Sequence, residues 1–361
     1  MRVLSPILRQ LVYPALSKAG YFSSRAVASV LTYHGVLPEG YRVADSFLDN
    51  TLITIESFRS QLRTLKRHYN VISPEQFRQW LRGSADLPEH AVLLTCDDGL
   101  LNNLTTMAPV LREEGLQCLF FVTGCSLDHA AQMLWYIELY LMLMEGRARN
   151  PGVVWRGMQV PAIDAETRKR GSQWLSLMSN LSAFDARWRA EFLYEATQWW
   201  GLARDWKTRY LDDPVLRQRF QLLGTADLRQ LADTGMTIGA HTLSHPELSR
   251  QADDSARREI IDCRGELERC TGRAVWSLAY PFGTPAAVGD RELQVAKEAG
   301  YECAFMNISG PLEATSRFAL PRVHVTADMS LSVFEAHVSG FHENLRRRLR
   351  PSDSSNGRSC Q

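Results

Sequence analysis

Paired cysteines are missing from this chain of 361 residues: its seven cysteines are scattered, odd in number, and nowhere stand in a C-x-x-C spacing. That excludes a disulfide framework and a thiolate zinc site, and it predicts a reducing compartment. A dominant charge is missing too. Lys and Arg number 41 against 40 for Asp and Glu, a formal net charge of +1. A chain whose main partner is nucleic acid needs a basic face, so no nucleic acid is expected here. Nor is there an apolar run of transmembrane length. Residues 1–30, "MRVLSPILRQLVYPALSKAGYFSSRAVASV", have apolar positions at helical spacing, but Pro6, Arg9, Pro14 and Lys18 interrupt them. This predicts an N-terminal helical segment packed on the domain rather than a secretory signal. The location is then cytoplasmic, with peripheral membrane contact as a further reading.

What is present is core material, 45% hydrophobic, arranged in an alternating rhythm. "ASVLTYHGV" reads as a strand, "TIESFRSQLRTLKRHY" as an amphipathic helix opened by Thr54, and "PEQFRQWLRG" as a helix begun by Pro74 and ended by Gly83. "AVLLTCDDG" is a buried strand, "LTTMAPVLREEG" a helix, and "QCLFFVTG" another buried strand. Strand, helix, strand predicts an α/β fold with a parallel sheet or barrel, whose first part spans 31–126. From 127 to 224 the pattern turns helical and rich in Trp, which predicts an insertion with the Trp residues as its core. The α/β rhythm resumes over 225–340 with "MTIGAHT", "DDSARREIIDCRGELERCTG", "AVWSLAYPFG", "DRELQVAKEAG" and "YECAFMN". The remainder, 341–361, contains "RRRLR" and reads as a basic, disordered tail.

In parallel α/β architectures functional groups collect at the carboxyl ends of strands. Four such ends here carry polar groups that a structural strand does not need: His34, the turn Asp97-Asp98-Gly99, His241 with His245, and "YPFG" at 280–283. Adjacent acids after a strand also describe a solvated Asp-Gly turn, and an H-x-x-x-H pair also describes two surface histidines. Taken together, however, they have a chemistry. On a helical turn, residues four apart share a face and can reach one ion. Two histidines and a carboxylate form a catalytic metal set with open positions, and a second carboxylate off the metal can take a proton from water. A cation also relieves the repulsion between neighbouring acids.

"TCDDG" with Asn102 or Asn103 behind it, "HTLSHP" and "YPFG" resemble the three motifs of the polysaccharide deacetylases, carbohydrate esterase family four, from about Leu31 to Val325 with the insertion left out. The resemblance implies an irregular (β/α)7-type barrel with a helical insertion. It implies Asp97 as catalytic base, and Asp98, His241 and His245 as ligands of Zn2+ or another divalent transition metal. The backbone N–H of Phe282 is implied as an oxyanion donor, with Tyr280 and Pro281 beside it at the substrate. The implied activity is metal-dependent removal of N-acetyl groups from a glycan or glycan precursor, with an oligo- or polysaccharide or a lipid-linked sugar as partner. The alternatives are an amidase acting on a non-carbohydrate amide and an inactive sugar-binding relative.

Several positions depart from the family pattern. Cys96 replaces an aromatic residue and reads as packing. Phe282 lacks the hydroxyl of the usual tyrosine. Ala279 stands where many members have an arginine that keeps the base ionised, and Arg322 in "LPRVHV" is the candidate to replace it. The late leucine-x-histidine strand that carries the general acid is missing. "LTYHG" resembles that strand moved ahead of the first motif, as in the circularly permuted exopolysaccharide-deacetylase type, so His34 is implied as the general acid, with His324 the weaker candidate.

Overall fold

The apolar runs become parallel strands in this computed structural model, which describes residues 4–22, 28–42, 45, 47–124, 127, 132–147, 153–163, 166–313 and 317–349. In chain order they are β1 (Ser29–Tyr33), β2 (Asn70–Ile72), β3 (Ala91–Cys96), β4 (Leu119–Val122), β5 (Val153–Trp155), β6 (Met158–Val160), β7 (Thr237–Ala240), β8 (Ser277–Ala279), β9 (Cys303–Met306), β10 (Leu320–Pro321) and β11 (Val323–His324). The main sheet runs β10-β9-β8-β7-β4-β3-β1-β11, with β2 added on β3 and every pairing parallel. β10 and β11 are consecutive, with Arg322 alone between them. Leu320 pairs with Phe305 of β9 at one edge, and Val323 pairs with Leu31 of β1 at the other. One short segment therefore bridges both edges and closes the sheet, which leaves no unpaired edge there. With β10 and β11 taken as one strand, β1, β3, β4, β7, β8 and β9 complete the expected (β/α)7-type barrel.

The two-residue period of the strands sorts their side chains. Ala91 and Leu93 of β3 pack with Phe121 and Phe305 in the barrel interior, whereas Val92, Leu94 and Cys96 pack outward against Phe58, Leu62 and Leu111 of the surrounding helices. Cys96 is thus packing, with the Asn103 Nδ2 donating to its sulfur at 3.3 Å. Thr95 and Asp97 continue the inward-facing series. The near-unbroken apolar sequence of β3 follows from this double burial, since a strand covered on both faces has no solvent face to make polar.

The outer helices start and stop where the sequence predicts. Thr54 accepts from the Ser57 N–H and opens Ile55–His68; Ser73 caps Pro74–Leu81 in a reciprocal box with Gln76. The insertion folds into helices Trp135–Glu145, Thr167–Leu181, Ala186–Trp199, Thr208–Leu211 and Pro214–Phe220, plus the antiparallel pair β5–β6, which helical spacing did not foresee. Its core holds Trp135, Trp155, Trp200 and Trp206 and rests on Leu37, Leu52 and Leu100 from the loops after β1 and β3. The insertion therefore stands over the carboxyl ends of the strands. Trp174 packs against that core and also lines the cleft beneath.

At the other end, Tyr13 and Phe22 bury themselves against Val333 and Ala336 of helix Leu331–Val338, which docks the N-terminal segment on the barrel. The tail expected to be disordered from 341 begins instead as helix Phe341–Leu349. Phe341 packs on Tyr13, Tyr21 and Phe22, and Tyr13 hydroxyl and His342 Nδ1 lie 2.7 Å apart. The basic run obscured that apolar anchor; residues 350–361 lie outside the described part.

Candidate active site

Asp97 and Asp98 leave β3 in different directions. Asp97 keeps the strand's inward face. Asp98 adopts a left-handed backbone with φ 80, and Gly99 follows with φ 77. A side chain on Gly99 would collide with Val122 of β4, so the acids are followed by glycine because backbone passes against backbone. The turn thus points neighbouring carboxylates at different partners.

Asp98 faces the histidines. Its Oδ1 lies 3.5 Å from His241 Nε2 and 3.4 Å from His245 Nε2, and all three side chains are buried. The His241 ring is fixed through Nδ1, which lies 2.7 Å from the Ala279 carbonyl. The carbonyl can only accept, so Nδ1 carries the proton and Nε2 presents a lone pair. Asp98 Oδ1 itself has no hydrogen-bond partner. A tetrahedral zinc with bonds of about 2.0–2.2 Å sets its ligand atoms about 3.4 Å apart, the separation these groups already have. Lone pairs converging on an orphaned carboxylate oxygen suit a cation, so the donor set fits a divalent ion. Burial pushes the Asp98 carboxyl up; with no ion held, His241 and His245 in their protonated form donate to it, outweigh burial and hold the group well below the usual carboxylate range.

The helical turn expected for the H-x-x-x-H pair is not there. His241 directly follows β7, and His245 lies in an irregular loop in which Thr242 and His245 themselves are left-handed, at φ 63 and 53. Two such bends bring residues four apart to one point, as a helix would, but with strain that the surroundings must hold.

Asp97 faces Arg322. Nη1 and Nη2 each reach one carboxylate oxygen at 2.7 Å, in a bidentate pair with side chains 0% and 1% exposed. The guanidinium lies over the rings of Phe121 and Phe305, 5.5 and 5.9 Å from their centroids, and also donates to Asn307 Oδ1 at 3.1 Å. Burial pushes Asp97 up, and Arg322 together with the charges of His241 and His34 outweighs this, so its carboxyl lies below the ordinary value. Arg322 thus pairs with Asp97, the contact expected of it from the lack of an arginine at Ala279. It reaches Asp97 from the closing strand, between the residues that pair with opposite edges.

His34 follows β1 and lines the same cleft, of about 890 Å³, as Asp97, Asp98, His241, His245 and Phe282. Its neighbour Gly35 has φ 140, and a Cβ there would overlap Asn102 Oδ1, the atom that accepts from the Val36 N–H at 3.3 Å. Asn102 thus fixes the loop that carries His34. His324 stands beside His34 with ring centroids 4.8 Å apart; burial, then the charge of His34, push it down to about 3. Phe282 lies over His245 with centroids 5.1 Å apart and a left-handed φ of 60.

Tyr280 and Pro281 do not join the cleft. Tyr280 is wholly buried in the helix–strand layer and its hydroxyl donates to the Phe318 carbonyl, because the period of β8 turns it outward. Pro281 only carries the chain between them.

The motifs missed what the insertion contributes. Tyr136 lies over the metal-type cluster, its ring 5.0 Å from His245 and 6.3 Å from Phe282, with burial and the charge of Asp98 holding its phenol well above the ordinary value. Trp135 Nε1 donates to the His245 carbonyl at 3.0 Å. Nothing in the local pattern of "MLWYIELYLMLMEG" separates these residues from core.

Against known proteins, the polysaccharide deacetylase family model matches residues 200–304. That stretch holds His241 and His245 but neither Asp97 nor Asp98. YxkH of Bacillus subtilis (strain 168), which bears a provisional polysaccharide deacetylase name, is 27% identical over 118 residues, 32% of this chain and 40% of that protein's length. Among solved structures, the Streptococcus pyogenes deacetylase PplD in complex with acetate has a TM-score of 0.54 at 16% identity, covering 90% of this chain and 98% of its own. IcaB from Ammonifex degensii has a TM-score of 0.50 at 17% identity, covering 87% and 97%. These structures share the fold.

Proposed function

We propose that this chain, which the polysaccharide deacetylase model matches over residues 200–304, is a metal-dependent hydrolase removing N-acetyl groups from a glycan or glycan precursor. One observation carries the reading: a carboxylate locked to a buried arginine stands one residue from a carboxylate that faces two histidines, in one cleft. Zinc or another divalent transition metal, held by Asp98, His241 and His245, would supply Lewis acidity toward the acetamide oxygen and acidify a nearby water. Asp97, kept ionised by Arg322, takes the proton of the attacking water; each of its oxygens retains a lone pair beyond the one Arg322 uses. The Phe282 N–H donates to the oxyanion. His34 protonates the departing amine, and acetate and a free amine result. His324, pushed down to about 3, stays neutral beside it and is the poorer acid. The Arg322 pair also favours an active enzyme over an inactive sugar-binding relative, since it holds Asp97 ionised without an arginine at Ala279.

The test is acetate release from N-acetylglucosamine oligomers, lipid-linked sugars and simple amides, with zinc added or chelated. Release only from a simple amide makes the chain an amidase on another substrate class; no release from any of them, with zinc bound, overturns the proposal. His245→Ala is expected to lose its ion on dialysis, and wild-type affinity to fall below about pH 6.5, where imidazoles protonate. Full zinc occupancy in the dialysed variant would remove His245 from the ligand set. His34→Ala is expected to slow acetamide hydrolysis by about 10²–10⁴-fold and an ester analogue by less, because an alkoxide leaves with less help. A larger loss in His324→Ala than in His34→Ala moves the acid to His324.

A further inference from the structure

The loop that carries His245 is held from both sides, and one side belongs to the insertion. From the barrel, Glu259 of helix Asp253–Thr271 accepts from the Ser244 N–H at 2.8 Å and from the Ser244 hydroxyl. From the insertion, Arg189 of helix Ala186–Trp199 donates to Ser244 Oγ at 2.6 Å and to the Ser244 carbonyl at 3.2 Å, while its other terminal nitrogen donates to the Phe184 carbonyl at 3.1 Å. Trp135 Nε1 takes the next carbonyl, that of His245. The Arg189 guanidinium lies 5.1 Å over the Trp135 ring, so the two donors form one buried unit, with Arg189 2% and Trp135 8% exposed. The carbonyls of Ser244 and His245 thus accept their hydrogen bonds from the insertion.

We propose that Arg189 and Trp135 are positioning residues of the metal site, through which the helical insertion holds the His245 loop in the shape that binds the ion. This rests on the metal reading above and gives the insertion a role in it. Thr242 and His245 occupy left-handed backbone that a residue other than glycine keeps only where the surroundings impose it. A loop free to relax would carry the His245 ring away from Asp98. Peptide carbonyls fixed by a planar guanidinium and a rigid indole, themselves buried, are the means of imposing it. Such support around a ligand is worth about 10–100-fold in metal affinity.

The experiment is zinc affinity by chelator competition, together with the visible spectrum of the cobalt-substituted full-length protein, which reports coordination geometry. Trp135→Phe keeps the packing and removes only the indole donor; it is expected to raise the zinc Kd by about tenfold and change the cobalt spectrum. Arg189→Met is expected to do the same or more. The double variant should lose less than the product of the two, because the donors act as a unit. Trp200→Phe removes an indole equally buried in the insertion core, whose partner is the Pro161 carbonyl, and is expected to leave the Kd and the spectrum unchanged. If Arg189→Met does not fold, Trp135→Phe decides alone. Zinc affinity within twofold of wild type in the variants that fold overturns the proposal and leaves the metal reading intact. A wild-type protein that binds neither zinc nor cobalt overturns both.

Discussion

Asp97→Asn is expected to retain its metal and lose hydrolysis by about 10²–10⁴-fold, the usual contribution of a general base. The amide matches the carboxylate in size and can still accept one hydrogen bond from Arg322, so the pocket keeps its shape. It cannot take a proton from water. The change also leaves the Arg322 guanidinium, 0% exposed, without a counter-charge. Removing one partner of a buried pair costs about 3–5 kcal/mol of stability, so a lowered melting temperature is expected alongside the lost turnover. Zinc content and acetate release measured on the same folded sample separate the two effects. Near-normal turnover with zinc bound would show that Asp97 is not the base.

Arg322→Met is expected to move the acidic limb of the pH–rate profile upward. In the native protein burial raises Asp97, and Arg322, with His241 and His34, outweighs it, so the folded value lies below that of the unfolded chain. The pair's stabilisation is then complete above the unfolded value of about 3.9 and is lost as pH falls through the lower, folded one. Without Arg322 burial prevails and the folded value rises above the unfolded one. Asp97 then protonates at a pH where the native enzyme still has its base. The stability deficit against wild type is expected to be largest at neutral pH and to shrink on acidification, since a protonated Asp97 no longer needs a counter-ion. Parallel pH–rate profiles and urea midpoints at several pH values check both. Acidic limbs that coincide would mean that Arg322 is structural and does not set the ionisation of Asp97.

The barrel was legible in the sequence because its signals are local. A strand covered on both faces, such as Ala91–Cys96, must be apolar throughout, and Thr54, Ser73 and Pro74 begin helices by chemistry confined to a few residues. The tail failed for the converse reason. Phe341 counts as an anchor only once Tyr13 and Phe22, more than three hundred residues earlier, are beside it. Tyr280 failed because motif proximity says nothing of direction, and the strand period turned its ring into the core.

Asp97, Asp98, His241 and His245 were recognisable because the reaction demands those residue types at short, fixed spacings, and a spacing can be read without a fold. What sequence alone determined was therefore a set of groups that the proposed reaction would use and the architecture able to carry them. The tertiary structure decided which groups meet. It replaced the expected helical turn with a left-handed loop, brought Arg322 onto Asp97 through the segment that closes the barrel, and set Arg189 and Trp135 against the His245 loop. The last two join residues far apart in the chain, so they depend on where strands pair and helices pack, and no local pattern of residues encodes that.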